Sequence, residues 1–255
     1  MKEKISTIPL IDAFKSDDEC PFCYLERMAE QHAISFVLGS GATYMEGEVR
    51  AQTDEAGFCR IHYHKMYDYG NRLGSAMILQ THLQKVSKEL EKEMANIREI
   101  EKVKGFFGRK AKFGNTAVTS LGAWLDERKR SCYVCNHIET LYERYLQTFF
   151  DLYKKDKEFQ GLFADSKGFC LPHFRDLTEG AYVYLNEKQR VDFCEKLFDL
   201  MKTNMKRVEE DVAWFVEKQD YLNRDADWKN ARDSVQRGMQ KAGGGYPADP
   251  IFKND

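Results

Sequence analysis

The stretch CPFC at residues 20–23 places two cysteines three positions apart. A CxxC pair alone is compatible with a redox-active dithiol, with half of a metal site, or with two unrelated thiols at the start of a helix. A second copy of the pattern, further along the chain, narrows this choice.

Two copies of one longer pattern occur in the sequence. CPFC at 20–23 is followed by GFCRIH at 57–62, and CYVC at 132–135 is followed by GFCLPH at 168–173. The second and third cysteines of each copy are separated by 36 positions in the first and by 35 in the second. We interpret this as an internal duplication, in which two related units pack as a pseudo-dimer.

The recurring residue types are those of a structural zinc site. Zinc prefers four Cys or His ligands in a tetrahedron, and CxxC lets one turn of backbone present two thiolates to one ion. Each copy would contribute Cys3His, with its ligands at helix starts where the positive end of the helix dipole favours a thiolate. The predicted ligands are Cys20, Cys23, Cys59 and His62 for one zinc ion, and Cys132, Cys135, Cys170 and His173 for a second.

Two other uses of the same ligands stay open. They could hold iron–sulfur clusters, although clusters are usually bound by four cysteines and histidine substitution is uncommon. They could also form a redox or metal sensor whose thiolates release the ion on oxidation. A glutaredoxin-like dithiol is disfavoured, because such proteins need a βαβ framework that this helical pattern lacks.

Composition excludes several classes of function. The chain has 255 residues, and 39 Lys+Arg against 41 Asp+Glu give a net charge of −2, so no global attraction to nucleic acid is predicted. The sequence has neither a signal-peptide pattern nor a stretch of about 20 apolar residues that could span a membrane. We therefore expect a cytoplasmic protein, whose cysteines are reduced or bind metal.

Apolar residues recur at helical spacing almost throughout, which predicts an all-α protein. The predicted division is a first metal-binding unit at 1–104, a basic Gly-rich linker at 105–115, a second unit at 116–222 and a polar C-terminal helix and tail at 223–255. The tail is too poor in apolar residues for a core of its own, so it either packs on the body or stays loose. In the long helix from residue 72, the residues expected to face inward are Leu73, Met77, Leu83, Val86, Leu90, Met94 and Ile97.

A few residues outside the ligand set could carry chemistry. Glu26 and Glu139 follow the CxxC pairs and could orient a ligand or act as acid or base, or they could lie on a solvated helix face. Cys194 lies outside the repeats and is expected to be a buried core thiol. The basic and aromatic stretch Lys102–Phe113 is the one place where nucleic acid could bind, with a charged linker as the alternative.

At CPFCYLE…GFCRIHYHKM and CYVC…GFCLPHF, with IPLIDAF ahead of them, the chain resembles an uncharacterised family of bacterial proteins that carry CPxC and GFCxxH elements. The resemblance covers most of residues 5–220 and supports the ligand assignment, but it implies no activity. Tyr133 stands where that pattern has a proline.

The sequence contains no nucleotide-binding loop and no nucleophile elbow, so no catalytic residues are predicted. We expect a non-enzymatic scaffold or adaptor with two zinc ions per chain and a protein partner. The alternative is an iron–sulfur protein or a thiol-based redox or metal sensor that uses the same ligands.

Overall fold

The computed structural model describes residues 6–103, 117 and 119–246, and within those ranges the regular structure is helical, without a strand. This confirms the all-α prediction. The helices are α1 (Thr7–Lys15), α2 (Pro21–Leu38), α3 (Gly47–Ala56), α4 (Arg60–Tyr69), α5 (Arg72–Val103), α6 (Ser120–Arg130), α7 (Tyr133–Lys155), α8 (Lys157–Asp165), α9 (Leu171–Tyr184), α10 (Glu187–Glu217) and α11 (Ser234–Gly243).

The chain forms two compact units, and each combines residues from both halves of the sequence. Among the described residues, unit 1 consists of 6–29 and 139–246, and unit 2 consists of 30–103, 117 and 119–138. Helices α2 and α7 therefore each contribute residues to both units. The predicted linker at 105–115 lies outside the described residues, and the internal duplication stays a prediction.

Unit 1 has a core rich in phenylalanine. Ring centroids of neighbouring aromatic pairs lie about 5 to 6 Å apart, mostly in edge-to-face or tilted arrangements that add to the stabilisation from burial. The phenylalanines buried in this core are Phe14, Phe22, Phe149, Phe150, Phe159, Phe163, Phe169 and Phe193.

Unit 2 has a smaller core that is mainly aliphatic. It forms where the second half of α2 packs with α3, α4, α5 and the start of α7. The buried apolar side chains include Ile34, Val37, Leu38, Val49, Phe58, Met66, Ile78 and Val134.

Local sequence signals explain where several helices begin. Asn186 and Gln189 form a reciprocal capping box at the start of α10, in which each side chain accepts a hydrogen bond from the other residue's backbone N–H. Asp156 caps α8 by accepting from the N–H groups of Glu158 and Phe159. These caps satisfy amides that have no partner within the helix.

Helix α5 exposes several apolar residues that were expected to face inward. Leu73, Leu83 and Met94 are 66%, 56% and 38% exposed, so the inward orientation expected for them is wrong. The helix is 32 residues long, and its packing partners are the short helices α3, α4 and α6 and the turn at 43–45. These partners cover only part of the surface of α5. Among the described residues of the helix, Ile78 alone has a fully buried apolar side chain.

The described part of the C-terminal segment, residues 223–246, packs on unit 1, which is one of the two expectations for it. Helix α11 lies against α9 and α10. Its buried side chains are all polar or charged: Ser234, Arg237, Gln240 and Lys241.

Candidate metal centres

The eight predicted ligands form two clusters, but they are partnered differently from the prediction. The unit 1 cluster consists of Cys20, Cys23, Cys170 and His173, and the unit 2 cluster consists of Cys59, His62, Cys132 and Cys135. The ligand atoms of each cluster all lie within 4.8 Å of one another. The expected pairing of each CxxC with the next GFCxxH along the chain is therefore wrong, because each CxxC meets the GFCxxH of the other half.

Helix length gives the physical reason for the exchange. Helix α2 has 18 residues and is about 27 Å long, whereas α3 has 10 residues and is only about 15 Å long. The same imbalance holds for α7, with 23 residues, and α8, with 9. Each GFCxxH element therefore packs in the unit that holds the second part of the preceding long helix, and not in the unit that holds its own CxxC.

The ligands occupy equivalent positions at the starts of four helices. Cys59 and Cys170 are the N-cap residues of α4 and α9, and Cys20 and Cys132 directly precede α2 and α7. The second ligand of every pair is three residues further on, in the first helical turn. The prediction that both motifs lie at helix starts is confirmed, and each cluster is the meeting point of two helix N-termini.

The glycine and phenylalanine of the two GFC motifs have local roles. Gly57 and Gly168 have φ values of 59° and 77°, which favour glycine. An added Cβ at Gly57 would also lie 2.6 Å from Cε1 of His82. Phe58 and Phe169 are buried in the cores of their units and anchor the loops that carry the ligands.

In the unit 1 cluster the His173 imidazole faces three thiols. Its Nδ1 lies 3.3, 3.5 and 3.1 Å from Sγ of Cys20, Cys23 and Cys170, and Cys170 Sγ lies 3.8 and 3.6 Å from the other two sulfur atoms. All four ligands are buried. The rings of Phe22 and Tyr142 lie 5.7 and 5.3 Å from the imidazole.

The unit 2 cluster has the same geometry but is more open. His62 Nδ1 lies 3.2, 3.2 and 3.4 Å from Sγ of Cys59, Cys132 and Cys135, and the sulfur atoms of Cys59 and Cys135 are 3.9 Å apart. His62 and Cys132 are buried, whereas Cys59 and Cys135 are partly exposed. Three sulfurs and one nitrogen at these separations could hold one metal ion.

Both histidines also contact a carboxylate through the other ring nitrogen. His173 Nε2 lies 3.4 Å from Glu26, and His62 Nε2 lies 2.9 Å from Glu30. This arrangement fixes the ring so that Nδ1 points at the thiols, as in many metal sites. Glu26 therefore has the orienting position considered for it, whereas Glu139 is exposed.

Glu30 was not predicted from the sequence. It lies on α2 four residues after Glu26, and Lys65 Nζ also bonds to its carboxylate at 2.5 Å. The sequence signal for Glu30 was its spacing of four residues from Glu26. That signal cannot be interpreted without the exchange of ligands between the two halves, which brings Glu26 to His173 and Glu30 to His62.

The metal-free clusters contain strongly shifted acid–base groups. Burial alone would lower the pKa of His62, but hydrogen bonds to Cys132 and Glu30 raise that pKa to about 10. Burial likewise opposes the shift at His173, where hydrogen bonds to Cys170 and Cys20 raise the pKa to about 12. A metal ion would have to displace protons from these rings, so binding should weaken as the pH falls.

The thiols of each cluster have divergent pKa values. Burial would raise the pKa of Cys20, but hydrogen bonds from Cys170, Cys23 and His173 hold it well below its usual value. Hydrogen bonding to Cys170 raises the pKa of Cys23. Burial would raise the pKa of Cys132, but hydrogen bonds to His62 and to the backbone of Cys135 and Cys59, with the His62 charge, together lower it to about 6. Each cluster thus favours an imidazolium beside a thiolate until a cation replaces the protons.

Different groups join the two ligand-bearing loops of each cluster. In unit 2, Tyr133 N–H donates to the carbonyl oxygen of Gly57 at 2.9 Å. In unit 1, the Lys241 ammonium donates to the carbonyl oxygens of Glu19 at 2.6 Å and Lys167 at 2.5 Å. Lys241 was not predicted as part of either site.

The remaining candidates are Cys194 and the basic stretch Lys102–Phe113. Cys194 belongs to neither cluster; it packs partly buried against the unit 1 core, and burial raises its pKa. The basic stretch Lys102–Phe113 lies almost entirely outside the described residues. Within the described part of the chain, none of the helices combines the length and the apolar character that a membrane span needs.

Comparison with known proteins gives the family but no activity. A family of unknown function (DUF6062) matches residues 1–249, so the chain belongs to that family, as the resemblance in the motifs implied. No curated protein and no solved structure matches the chain.

Proposed function

We propose that this member of the DUF6062 family is a zinc protein with two structural Cys3His sites and acts as a non-enzymatic scaffold. The donor set supports zinc, because three sulfurs and one imidazole nitrogen suit its closed tetrahedral sites. Four protein ligands leave no coordination position for a substrate or a catalytic water.

The spacing of the donor atoms carries this proposal. Zn–S and Zn–N bonds of about 2.3 and 2.0 Å in a tetrahedron require S···S edges of about 3.8 Å and S···N edges of about 3.5 Å. The S···S separations of Cys170 from Cys20 and Cys23 and of Cys59 from Cys135 are 3.6 to 3.9 Å, and the S···N separations in both clusters are 3.1 to 3.5 Å. The donors are thus already placed at nearly the edges that one ion requires.

The same spacing disfavours the iron–sulfur alternative. Ligands of a cluster bind different iron atoms and must lie further apart than ligands that share one ion. A single metal ion is therefore the better fit to both groups of ligands.

Zinc binding would contribute to folding because each site joins segments that are distant in sequence. In unit 1 the ion links residues 147 positions apart, and in unit 2 it links residues 76 positions apart. Closing such long loops costs chain entropy, and the free energy of zinc binding would offset that cost. The sites would fix the surface that the scaffold offers to a partner.

Exposed apolar side chains support a protein partner for unit 1. Tyr182 and Val183 on α9 are 65% and 74% exposed, and Val191 and Phe198 on α10 are 54% and 48% exposed. Several large apolar groups on two packed helices are typical of a protein-binding face.

Elemental analysis with a visible spectrum tests the metal assignment, on full-length protein purified without oxygen and without a metal-binding tag. We expect two zinc ions per chain and no colour. Iron with sulfide and a brown colour would favour the iron–sulfur alternative, and a metal-free chain would reopen the dithiol interpretation.

Single substitutions test the ligand set. Cys59→Ser and Cys170→Ser should each remove about one metal equivalent and destabilise the chain, because each breaks one tetrahedron. Cys194→Ser is the matched control and should leave the metal content unchanged. Loss of metal in Cys194→Ser but not in Cys59→Ser would show that the ligand assignment is wrong.

A further inference from the structure

The two clusters differ in how exposed their cysteine residues are. All four ligands of the unit 1 cluster are buried, whereas Cys59 and Cys135 of the unit 2 cluster are partly exposed. Oxidants and electrophiles react with thiolates that they can reach, so accessibility separates two otherwise similar sites.

The two partly exposed thiols are also neighbours. Their sulfur atoms are 3.9 Å apart, although the residues are separated by 76 positions in the sequence. An S–S bond of about 2.05 Å requires the sulfurs to approach by about 1.9 Å. Either thiol, once oxidised, has a second thiol next to it that can complete a disulfide.

The C-terminal segment covers the corresponding position in unit 1. Gly244, directly after α11, approaches so closely that an added Cβ would lie 3.6 Å from both Cys170 Sγ and Pro172 Cγ. The buried Lys241 ties the same segment to the loops before Cys20 and Cys170. The C-terminal segment therefore helps to bury this cluster.

We propose that the unit 2 cluster is an oxidant-sensitive site, in which Cys59 and Cys135 form a disulfide and release the bound metal while the unit 1 cluster keeps its own. The inference rests on the proposed function, since it requires that both clusters bind zinc. It adds that unit 1 keeps its metal under oxidation, whereas unit 2 releases and rebinds its metal.

The chemistry balances with hydrogen peroxide as the oxidant. One thiolate attacks a peroxide oxygen and becomes a sulfenic acid, and the hydroxide that leaves takes up a proton to form water. The second thiolate then attacks the sulfenic sulfur and displaces a second hydroxide, which is also protonated. Two thiolates lose two electrons, one disulfide and two waters form, and the zinc is left with Cys132 and His62 alone.

The disulfide would replace the metal as the connection between the same two elements. Cys59 caps α4 and Cys135 lies in the first turn of α7, so the bond would keep these helix starts together after the ion has left. Reduction would then regenerate the site without complete refolding, because the loop closed by the metal never opens.

The test uses full-length protein that contains two zinc ions by elemental analysis before oxidation. The protein is treated with excess hydrogen peroxide in the presence of a chromogenic zinc chelator, and its disulfides are mapped by mass spectrometry without reduction. We expect one zinc equivalent to leave at least about tenfold faster than the other, together with a Cys59–Cys135 link. Dithiothreitol and zinc should then restore two equivalents.

Several results would overturn the inference. Release of both equivalents at one rate, release of neither, or a disulfide mapped to Cys132 and Cys135 would each contradict it while leaving the zinc assignment intact. A chain that carries no metal before oxidation would instead overturn the proposed function. In Cys194→Ser the release should be unchanged, and its loss would show that oxidation begins at Cys194.

Discussion

The two clusters share one ligand set, yet their loops are tied together by different means. In unit 2 a backbone bond from Tyr133 N–H to Gly57 joins the CxxC loop directly to the GFC loop. The matching residue in unit 1 is Pro21, which has no N–H to donate, and there Lys241 bonds both loops from a third segment. The departure from CPxC at Tyr133 therefore has a structural use.

Through Lys241, the C-terminal helix α11 contacts both ligand-bearing loops of the unit 1 cluster. Lys241 is 1% exposed and also lies 3.2 Å from the Glu19 carboxylate, which Arg207 and Arg237 approach at 2.6 and 3.6 Å. A Cys3His site with one zinc ion carries a net charge of −1, so a buried ammonium beside it is electrostatically favourable. In unit 2 the GFC loop is held by bonds from His82 and Arg128 to the carbonyl oxygens of Asp54 and Glu55.

Replacing Lys241 should give the largest change in stability and in metal release of the substitutions that distinguish the two clusters. Lys241→Met removes the donor to two carbonyl groups and a partner of the buried Glu19, and loss of a buried charge partner typically costs about 3 kcal/mol or more. We expect lower stability in urea and faster zinc release from unit 1. The measurements are the urea unfolding midpoint and the rate of zinc transfer to a chelator.

A matched lysine shows whether charge removal alone explains such a result. Lys206 lies on α10, is 73% exposed and pairs only with the exposed Glu210 among the interactions described for it. Lys206→Met should change stability by less than about 0.5 kcal/mol. If the two variants behaved alike, Lys241 would not be the connection between the unit 1 loops.

The carboxylates that orient the histidines should have unequal effects. Glu30 is 12% exposed and lies 2.9 Å from His62, whereas Glu26 is 38% exposed and lies 3.4 Å from His173. Glu30→Gln should weaken zinc binding at one site by about 10-fold or more, and Glu26→Gln should have a smaller effect. Competition with a chromogenic chelator measures both, and equal effects would show that burial does not set the strength of this contact.

The ligands were predictable because their chemistry is local. A cysteine at a helix cap and a second ligand three residues later are adjacent in space whatever the rest of the chain does, so CPFC and GFCRIH identify half-sites from sequence alone. Which half-sites meet depends on the lengths of α2 and α7 against α3 and α8. Near-equal spacing in the two copies gave no information on that choice.

The role of the C-terminal segment was not predictable, because hydropathy reports apolar burial only. Helix α11 docks through polar groups, including Gln240 Nε2 to Asp18 Oδ1 at 2.7 Å and the buried Lys241. A lysine is almost never fully buried unless it is paired, and its partners here are more than 70 positions away in sequence. Only the folded arrangement reveals that this polar segment packs against the candidate metal ligands of unit 1.

Tyr133→Pro tests the smallest element of the comparison, a single hydrogen bond. The substitution converts CYVC into a CPxC motif and removes the N–H that binds Gly57, at the first position of α7, where the proline ring is tolerated. Loss of this bond should cost about 1 to 2 kcal/mol in urea unfolding and speed zinc release from unit 2. Tyr133→Phe keeps the N–H and should retain the zinc release rate. If proline were neutral, unit 2 would hold its loops without the backbone bond, and the absence of a donor at Pro21 would no longer explain why unit 1 uses Lys241.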